Sequence, residues 1–172
     1  SNGDNTFEFF DDFSSGSFAT ERWDTIGSPL ISGGVASCDK GNEAVTDNAV
    51  STNTTAIRVK INLQDAASND AGIFGLFTDK TTRSYAYNLY GSYPTANVVN
   101  GLLAGGPTGF TLGNNGSTSH VYDMLRSGTQ CQILADGVSK GTLTGGSSAG
   151  LYIRMAGDSG FGNGYGDVSV DW

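Results

Sequence analysis

The sequence predicts an all-β fold of antiparallel strands, and three observations support this prediction. Only seven of the 172 residues are Lys or Glu, so good helix formers are scarce. The 26 glycines make up about 15% of the chain, roughly twice the usual share of ~7%. Apolar and polar residues alternate along several short runs, as in strands with one buried face. The hydrophobic fraction of 37% suffices for a core, so residues 1–172 are expected to form a single domain, excised from a longer protein.

The predicted strands follow one another along the chain with polar turns between them. In the run 55–64, Ile57, Val59 and Ile61 alternate with charged and amide residues, which predicts one buried face. The other predicted strands cover 72–78, 84–90, 97–104, 109–113, 120–126, 129–135, 138–143, 150–155 and 167–172. A strand is also predicted over 5–14, where four phenylalanines need cover from the rest of the fold. Ser127-Gly128 and Asp136-Gly137 are hairpin signals, and the whole pattern indicates a sandwich or a barrel.

Charge and hydropathy exclude several kinds of partner. The net charge is −8 and the few basic residues are scattered, whereas nucleic-acid or anionic membrane binding needs clustered Lys and Arg. The sequence contains no apolar run near the ~20 residues that cross a bilayer, so neither nucleic acid nor membrane insertion is expected. Cys38 and Cys131 leave two alternatives open: a disulfide that closes a long loop, or two buried free thiols.

Several short motifs, taken in order, resemble the concanavalin A-like lectin/glucanase superfamily and its LamG-like modules. They are Phe9-Phe-Asp-Asp-Phe13, Arg22-Trp-Asp24, Ser32-Gly-Gly-Val35, His120 to Arg126, Ala135-Asp-Gly-Val138 and Asp167 to Trp172. The resemblance spans nearly the whole chain and implies a jelly roll, that is, two packed antiparallel sheets. It also implies an extracellular or cell-surface protein.

The resemblance further implies a structural calcium ion that ties the first strand to the last. Carried over by motif, the candidate ligands are Asp11 or Asp12, Gly33 or Gly34, and Asp171. Glu8 is an alternative to the first of these. Calcium takes six to eight hard oxygen ligands, and carboxylates and backbone carbonyls supply them.

Catalytic residues are not evident in the sequence. Glycosidases need two carboxylates close together, and the Glu-x-Asp-x-x-Glu run of the glucanase branch is absent. The nearest pair, Glu43 and Asp47, lies about 13 Å apart along a strand, and His120 sits in an amphipathic strand pattern that suggests a structural role. The domain is therefore expected not to be an enzyme.

One stretch is dense in aromatic and amide residues, which suit the apolar faces and hydroxyl edges of sugars. The candidate ligand-binding residues are Tyr85, Tyr87, Tyr90, Tyr93, Arg83, Asn88 and Asn97. Tyr85 and Tyr87 share parity and are expected on the concave sheet face, which carries ligands in the superfamily. Cross-strand aromatic packing is the alternative for each ring.

Two function classes follow. The first is a non-catalytic module that binds a neutral polysaccharide or glycan. The second is a structural or adhesive module of a cell-surface or virion protein. The isolated domain is expected to be monomeric.

Overall fold

The computed structural model describes residues 9, 11–39, 41–50, 54–62, 71–82, 84–92, 98–103, 109–114, 119–147, 149–158 and 168–171. Within them the regular structure is β-strand throughout, as predicted. The strands are β1 (Trp23–Ile26), β2 (Leu30–Ser32), β3 (Val35–Cys38), β4 (Glu43–Thr46), β5 (Thr54–Asn62), β6 (Ala71–Phe77), β7 (Tyr85–Ser92), β8 (Val98–Leu103), β9 (Gly109–Asn114), β10 (His120–Ser127), β11 (Gln130–Ala135), β12 (Val138–Thr144), β13 (Tyr152–Asp158) and β14 (Val168–Asp171). Across these ranges there is no helix long and apolar enough to cross a membrane.

The strands form two antiparallel sheets of seven strands each. Sheet 1 has the order β1-β4-β13-β6-β7-β8-β9, and sheet 2 has the order β12-β11-β10-β5-β14-β3-β2. Both sheets pair strands that are distant in sequence, such as β4 with β13 and β5 with β10. The architecture is the predicted two-sheet antiparallel sandwich.

The core lies between the two sheets and is built from alternate residues of their strands. Ile57, Val59 and Ile61 of β5 face inward, as their alternation predicts, while Arg58 and Lys60 between them are exposed. Sheet 1 contributes residues such as Phe74 and Leu76 of β6 to the same cluster.

Both predicted hairpins are present. Gly128 (φ 57°) turns the chain between β10 and β11, and Asp136 (φ 50°) with Gly137 (φ 77°) turns it between β11 and β12. Two consecutive positive φ angles match the twist of a two-residue hairpin, which explains why Asp-Gly stands at this turn.

The prediction of a strand over 5–14 is wrong for the part that the structure describes. Residues 11–14 form a turn, because the carboxylates of Asp11 and Asp12 accept the amides of Phe13 (2.9 Å) and Ser14 (3.1 Å). Phe13 has a φ of 52°, and its buried ring packs near Phe18 and Trp23. Strands β1 to β4 were not predicted, because runs of three or four residues are too short to show a period.

The two cysteines are free thiols, which decides between the two alternatives. Cys38 lies on β3 and Cys131 on β11, with β14, β5 and β10 between them in sheet 2. Four strand spacings place them about 19 Å apart, far beyond the reach of a disulfide.

Candidate functional site

Sheet 1 has a face that is turned away from the core, here called the outward face. On β6, Phe74 and Leu76 point into the core, while Ile73 and Phe77 form a separate buried cluster with Ala156 of β13. Tyr85 packs against this second cluster. Apolar side chains therefore continue across the outward face, where a solvated sheet would carry polar ones.

A β-bulge separates the two tyrosines that share parity in the sequence. Leu76 pairs with Tyr87 but Phe77 pairs with Tyr85, so Ala86 is the extra residue on β7. The bulge reverses the alternation, and Tyr85 reaches the outward face while Tyr87 points into the core. The prediction that both tyrosines line one ligand-binding face is therefore wrong for Tyr87.

The ring of Tyr87 is fully buried between the sheets. Its hydroxyl lies against Gly146, where an added Cβ would clash with the ring. Burial raises the pKa of this phenol. Tyr87 therefore supports the core and offers no surface to a ligand.

Three aromatic residues lie side by side on the outward face and are here called the aromatic row. Tyr152, Phe77 and Tyr85 occupy neighbouring register positions on β13, β6 and β7. The rings of Phe77 and Tyr85 meet edge to face, with centroids 6.2 Å apart and planes at 71°. Phe77 is 2% exposed, whereas Tyr85 and Tyr152 are half-buried and present part of their side chains to solvent.

Tyr152 and Phe77 are the site residues that the sequence reasoning missed. Leu151, Ile153 and Met155 are buried in the core, and the period-2 alternation therefore assigns Tyr152 to the opposite face. That signal was present in the run 150–155. The pairing of Tyr152 with Phe77 could not be predicted from the sequence, because the two residues are 75 positions apart in the chain.

The other predicted ligand-binding residues are either buried, so that a ligand cannot reach them, or lie outside the part of the chain that the structure describes. Asn88 stands on the outward side of β7, but it is fully buried, and neither amide atom has a hydrogen-bond partner. The prediction that Asn88 contacts a ligand is wrong, because no part of its side chain is accessible. Tyr90 belongs to β7, and its side chain is outside the description. Arg83, Tyr93 and Asn97 lie outside the described residues.

A buried ion pair lies beside the aromatic row. The side chains of Arg154 on β13 and Glu43 on β4 are 1% and 3% exposed. Arg154 Nε lies 2.8 Å from Glu43 Oε2, but the two atoms are not aligned for a hydrogen bond. The guanidinium also lies 5.3 Å from the ring centroid of Phe77, within cation–π range. A second nitrogen of Arg154 donates to the carbonyl of Thr82 (2.7 Å).

A second ionic group borders the same face. The Lys80 ammonium is 2.7 Å from Asp24 Oδ2 and 2.7 Å from Asp47 Oδ1. These contacts raise the pKa of Lys80 further above its usual range. Glu43, Asp24 and Asp47 therefore each contact a cationic side chain.

His120 has a structural environment, in line with its amphipathic strand pattern. Its Nδ1 is 2.7 Å from Asp136 Oδ2, at the hairpin turn, and its ring meets Tyr122 edge to face. The hydrogen bond from His120 and that from the Val121 amide lower the pKa of Asp136. His120 thus ties the β11–β12 turn to the start of β10.

The backbone places Asp12, Gly34 and Asp171, three of the predicted calcium ligands, on neighbouring segments. A Cβ built on Gly34 would lie 3.8 Å from the carbonyl oxygen of Asp12, and β14 runs beside β3 so that Asp171 follows the Val170–Ala36 pair. Gly33 and Gly34 both have positive φ (61° and 79°). Both carboxylate oxygens of Asp11 already accept hydrogen bonds, from the Phe13 amide and from Trp23 Nε1 (2.8 Å).

These segments do not form a cluster of acidic side chains within the described parts of the chain. There, no group of three or more His, Cys, Asp or Glu side chains is arranged to hold a metal ion.

Comparisons with known proteins identify the fold. No protein-family model and no curated protein matches the sequence. Among solved structures, the beta-glucanase of Bacillus licheniformis superposes with a TM-score of 0.67 at 12% identity, over 95% of this chain and 94% of that chain. The endo-beta-1,3-glucanase from Pyrococcus furiosus gives a TM-score of 0.66 at 11% identity, over 94% and 91%. The carbohydrate-binding module CBM66 from Bacillus subtilis gives 0.60 at 12% identity, over 87% and 95%.

The chain has the jelly-roll sandwich fold of these glucanases and of this binding module. The predicted resemblance to the concanavalin A-like superfamily is thus confirmed at the level of the fold. At sequence identities of 10–12%, these comparisons show the fold of the chain but not its activity.

Proposed function

We propose that the domain binds a neutral glycan at the aromatic row on the outward face of sheet 1, without hydrolysing it. The observation that carries this proposal is the pair of partly exposed tyrosines, Tyr85 and Tyr152, held on either side of the buried ring of Phe77. Sugars present apolar CH faces that stack on such rings. Solved proteins of the same fold include a carbohydrate-binding module and several glucanases, which supports sugar binding in general.

The carboxylates near the row support binding rather than hydrolysis. Glycoside hydrolysis needs two carboxyl groups about 5 to 9.5 Å apart, one of them free to protonate the leaving group. Glu43 is buried against Arg154, and both Asp24 and Asp47 contact Lys80. Each of these carboxylates therefore already has a cationic partner.

The charge of the domain supports a neutral ligand. The net charge is −8, so sulfated or uronic-acid polymers would be repelled unless a cation bridged them. An extracellular location fits the proposed ligand and the expectation from the sequence.

Calcium at the corner of Asp12, Gly34 and Asp171 is part of the same proposal. The support is the backbone arrangement: the Asp12 carbonyl oxygen lies close to Gly34, and Asp171 follows the residue of β14 that pairs with β3. Carbonyl and carboxylate oxygens are the ligands that calcium prefers. The ion would join β14 to the N-terminal turn and so stabilise the sandwich. Asp11 is better assigned to the indole of Trp23.

The test is a glycan array on the domain with calcium present, followed by calorimetry on the glycans that bind. If a tyrosine stacks on the sugar, removing its ring costs about 1 to 2 kcal/mol, or roughly tenfold in affinity. Tyr85→Ala and Tyr152→Ala are expected to weaken binding to that extent. Tyr87→Phe is the matched control, because it alters a tyrosine of the same strand that faces the core.

Three outcomes would count against the proposal. Binding that survives both alanine substitutions would place the ligand elsewhere on the domain. Release of reducing sugar from a bound polysaccharide would show hydrolysis. If the domain bound none of the glycans, the structural or adhesive module would be the better supported function.

A further inference from the structure

The β6–β7 loop connects two residues of the aromatic row. It begins after Phe77 and ends before Tyr85, and the structure describes its residues 78–82 and 84. Thr78 closes the base of the loop, since its amide and its hydroxyl both donate to the carbonyl of Ser84 (2.8 and 3.0 Å). The loop therefore sets where β7 begins, and with it the position of the Tyr85 ring.

The interior of the loop has a defined local shape. The carboxylate of Asp79 accepts hydrogen bonds from the amides and hydroxyls of Thr81 and Thr82. These bonds lower the pKa of Asp79, the hydroxyl of Thr82 contributing most. They shape the turn, but they do not attach it to the sheet.

Two side chains attach the loop to the sheet. Arg154 of β13 donates to the carbonyl of Thr82 (2.7 Å), and Lys80 reaches the strands beyond β13. Its ammonium contacts Asp24 on β1 and Asp47 just beyond β4, and it also lies 3.4 Å from the Asp47 carbonyl. In sheet 1, β13 lies between β4 and β6. The Lys80 side chain must therefore bridge the end of β13, where Tyr152 stands.

Lys80 thus links β1 and the end of β4 to the loop that joins Phe77 to Tyr85. We propose that Lys80 is a positioning residue, which holds the β6–β7 loop across the end of β13 and so fixes the Tyr85 ring against Phe77 for ligand binding. This inference rests on the proposed function, and its structural part can be tested without a ligand.

The expected effect is on geometry more than on stability. Lys80 and its two partners are partly exposed, with side-chain exposures of 36%, 50% and 38%, and ion pairs of this kind add little to folding stability. A binding site that is already ordered avoids the entropy loss of ordering its side chains when the ligand arrives. Removing Lys80 should therefore affect ligand affinity more than melting.

The experiment compares Lys80→Met with Lys80→Arg in the whole domain. Lys80→Met keeps the apolar stem and removes the charge, and Lys80→Arg keeps a cation that reaches both carboxylates. We expect Lys80→Met to speed hydrogen exchange in the peptide that spans residues 78–84 and to broaden or shift the Tyr85 ring signals in NMR. Lys80→Arg is expected to restore both.

The ligand arm uses the glycan that binds tightest on the array. Lys80→Met should weaken its affinity about three- to tenfold, from the loss of one or two ordered side chains. The melting temperature should move by only a few degrees, and Lys80→Arg should return the affinity to within about twofold.

The outcomes separate the two claims. Unchanged exchange and unchanged Tyr85 signals in Lys80→Met overturn the positioning role, whatever the ligand does. Faster exchange with undiminished affinity overturns it as well, because the loop would then be irrelevant to binding. If the unaltered domain binds no glycan, the proposed function fails, while the exchange and ring signals still decide whether Lys80 fixes Tyr85.

Discussion

Breaking the buried ion pair between Glu43 and Arg154 should destabilise the domain far more than removing both charges together. The two side chains are 3% and 1% exposed, and the charged atoms are 2.8 Å apart. At an effective dielectric constant of about 20, their attraction is roughly 6 kcal/mol. The desolvation of two buried ions is several kcal/mol each, so the net contribution of the pair to folding is small.

The single substitutions lose the attraction but keep one desolvated charge. Arg154→Met leaves the Glu43 carboxylate buried without its cation and takes a donor from the Thr82 carbonyl. It should lower the free energy of unfolding by about 3 to 5 kcal/mol. Glu43→Leu should fall at the lower end of that range, because Arg154 keeps its contacts with Thr82 and Phe77.

The double variant Glu43→Leu/Arg154→Met replaces the pair by apolar side chains of similar length. Its stability should lie within about 2 kcal/mol of the unaltered domain. Urea unfolding of all four proteins, followed by fluorescence, completes the cycle, provided that the denaturant slopes agree. Single effects below about 1 kcal/mol, or a double variant equal to the sum of the singles, would refute the reasoning.

Three further predictions test the cysteines, the bulge and the metal. Burial raises the pKa of the Cys38 and Cys131 thiols to about 12, so neither should react with a thiol reagent at pH 8 until the domain unfolds. The thiols of the unfolded chain lose their protons near pH 9, while those of the folded chain keep them. The free energy of unfolding should therefore fall between about pH 9 and 12, by up to ~1.4 kcal/mol per pH unit and thiol. Rapid labelling of the cysteines in the native domain would contradict their burial. A Cβ at Gly75 would clash with the carbonyl oxygen of Tyr87, so Gly75→Ala should destabilise the domain by about 1 to 3 kcal/mol in chemical unfolding. A neutral effect would show that the backbone next to the bulge can shift to make room. Calcium at a hundred times its Kd should stabilise the domain by about 2.7 kcal/mol, and a melt unchanged by chelator, with Asp171→Ala equally stable, would exclude the site.

Local pattern was sufficient for much of the fold. The alternation of Ile57, Val59 and Ile61 with exposed residues, and the Asp136-Gly137 turn, both act between near neighbours in the chain. Their effects could therefore be predicted from the sequence. The same pattern predicted antiparallel sheets but left both a sandwich and a barrel open. Only the order of the motifs, compared with a known superfamily, indicated a jelly roll.

The candidate site was only partly predictable, and the bulge on β7 shows why. Tyr85 and Tyr87 have the same parity in the sequence, and a regular strand would have placed them together. One extra residue, Ala86, sends Tyr87 into the core. The bulge is a feature of the pairing between β7 and β6. Beside it, Gly75 leaves room for the Tyr87 backbone. Alternation within a single strand does not reveal such a feature.

By itself, the sequence determined the class of the fold, the faces of the long strands and the absence of a glucanase carboxylate run. Tertiary structure alone decided that Tyr152 joins Phe77 and Tyr85, that Arg154 meets Glu43, and that the two cysteines stand four strands apart. The physical reason is the range of the interactions. Propensity and periodicity act over a few residues, whereas strand order and register depend on contacts across the whole chain.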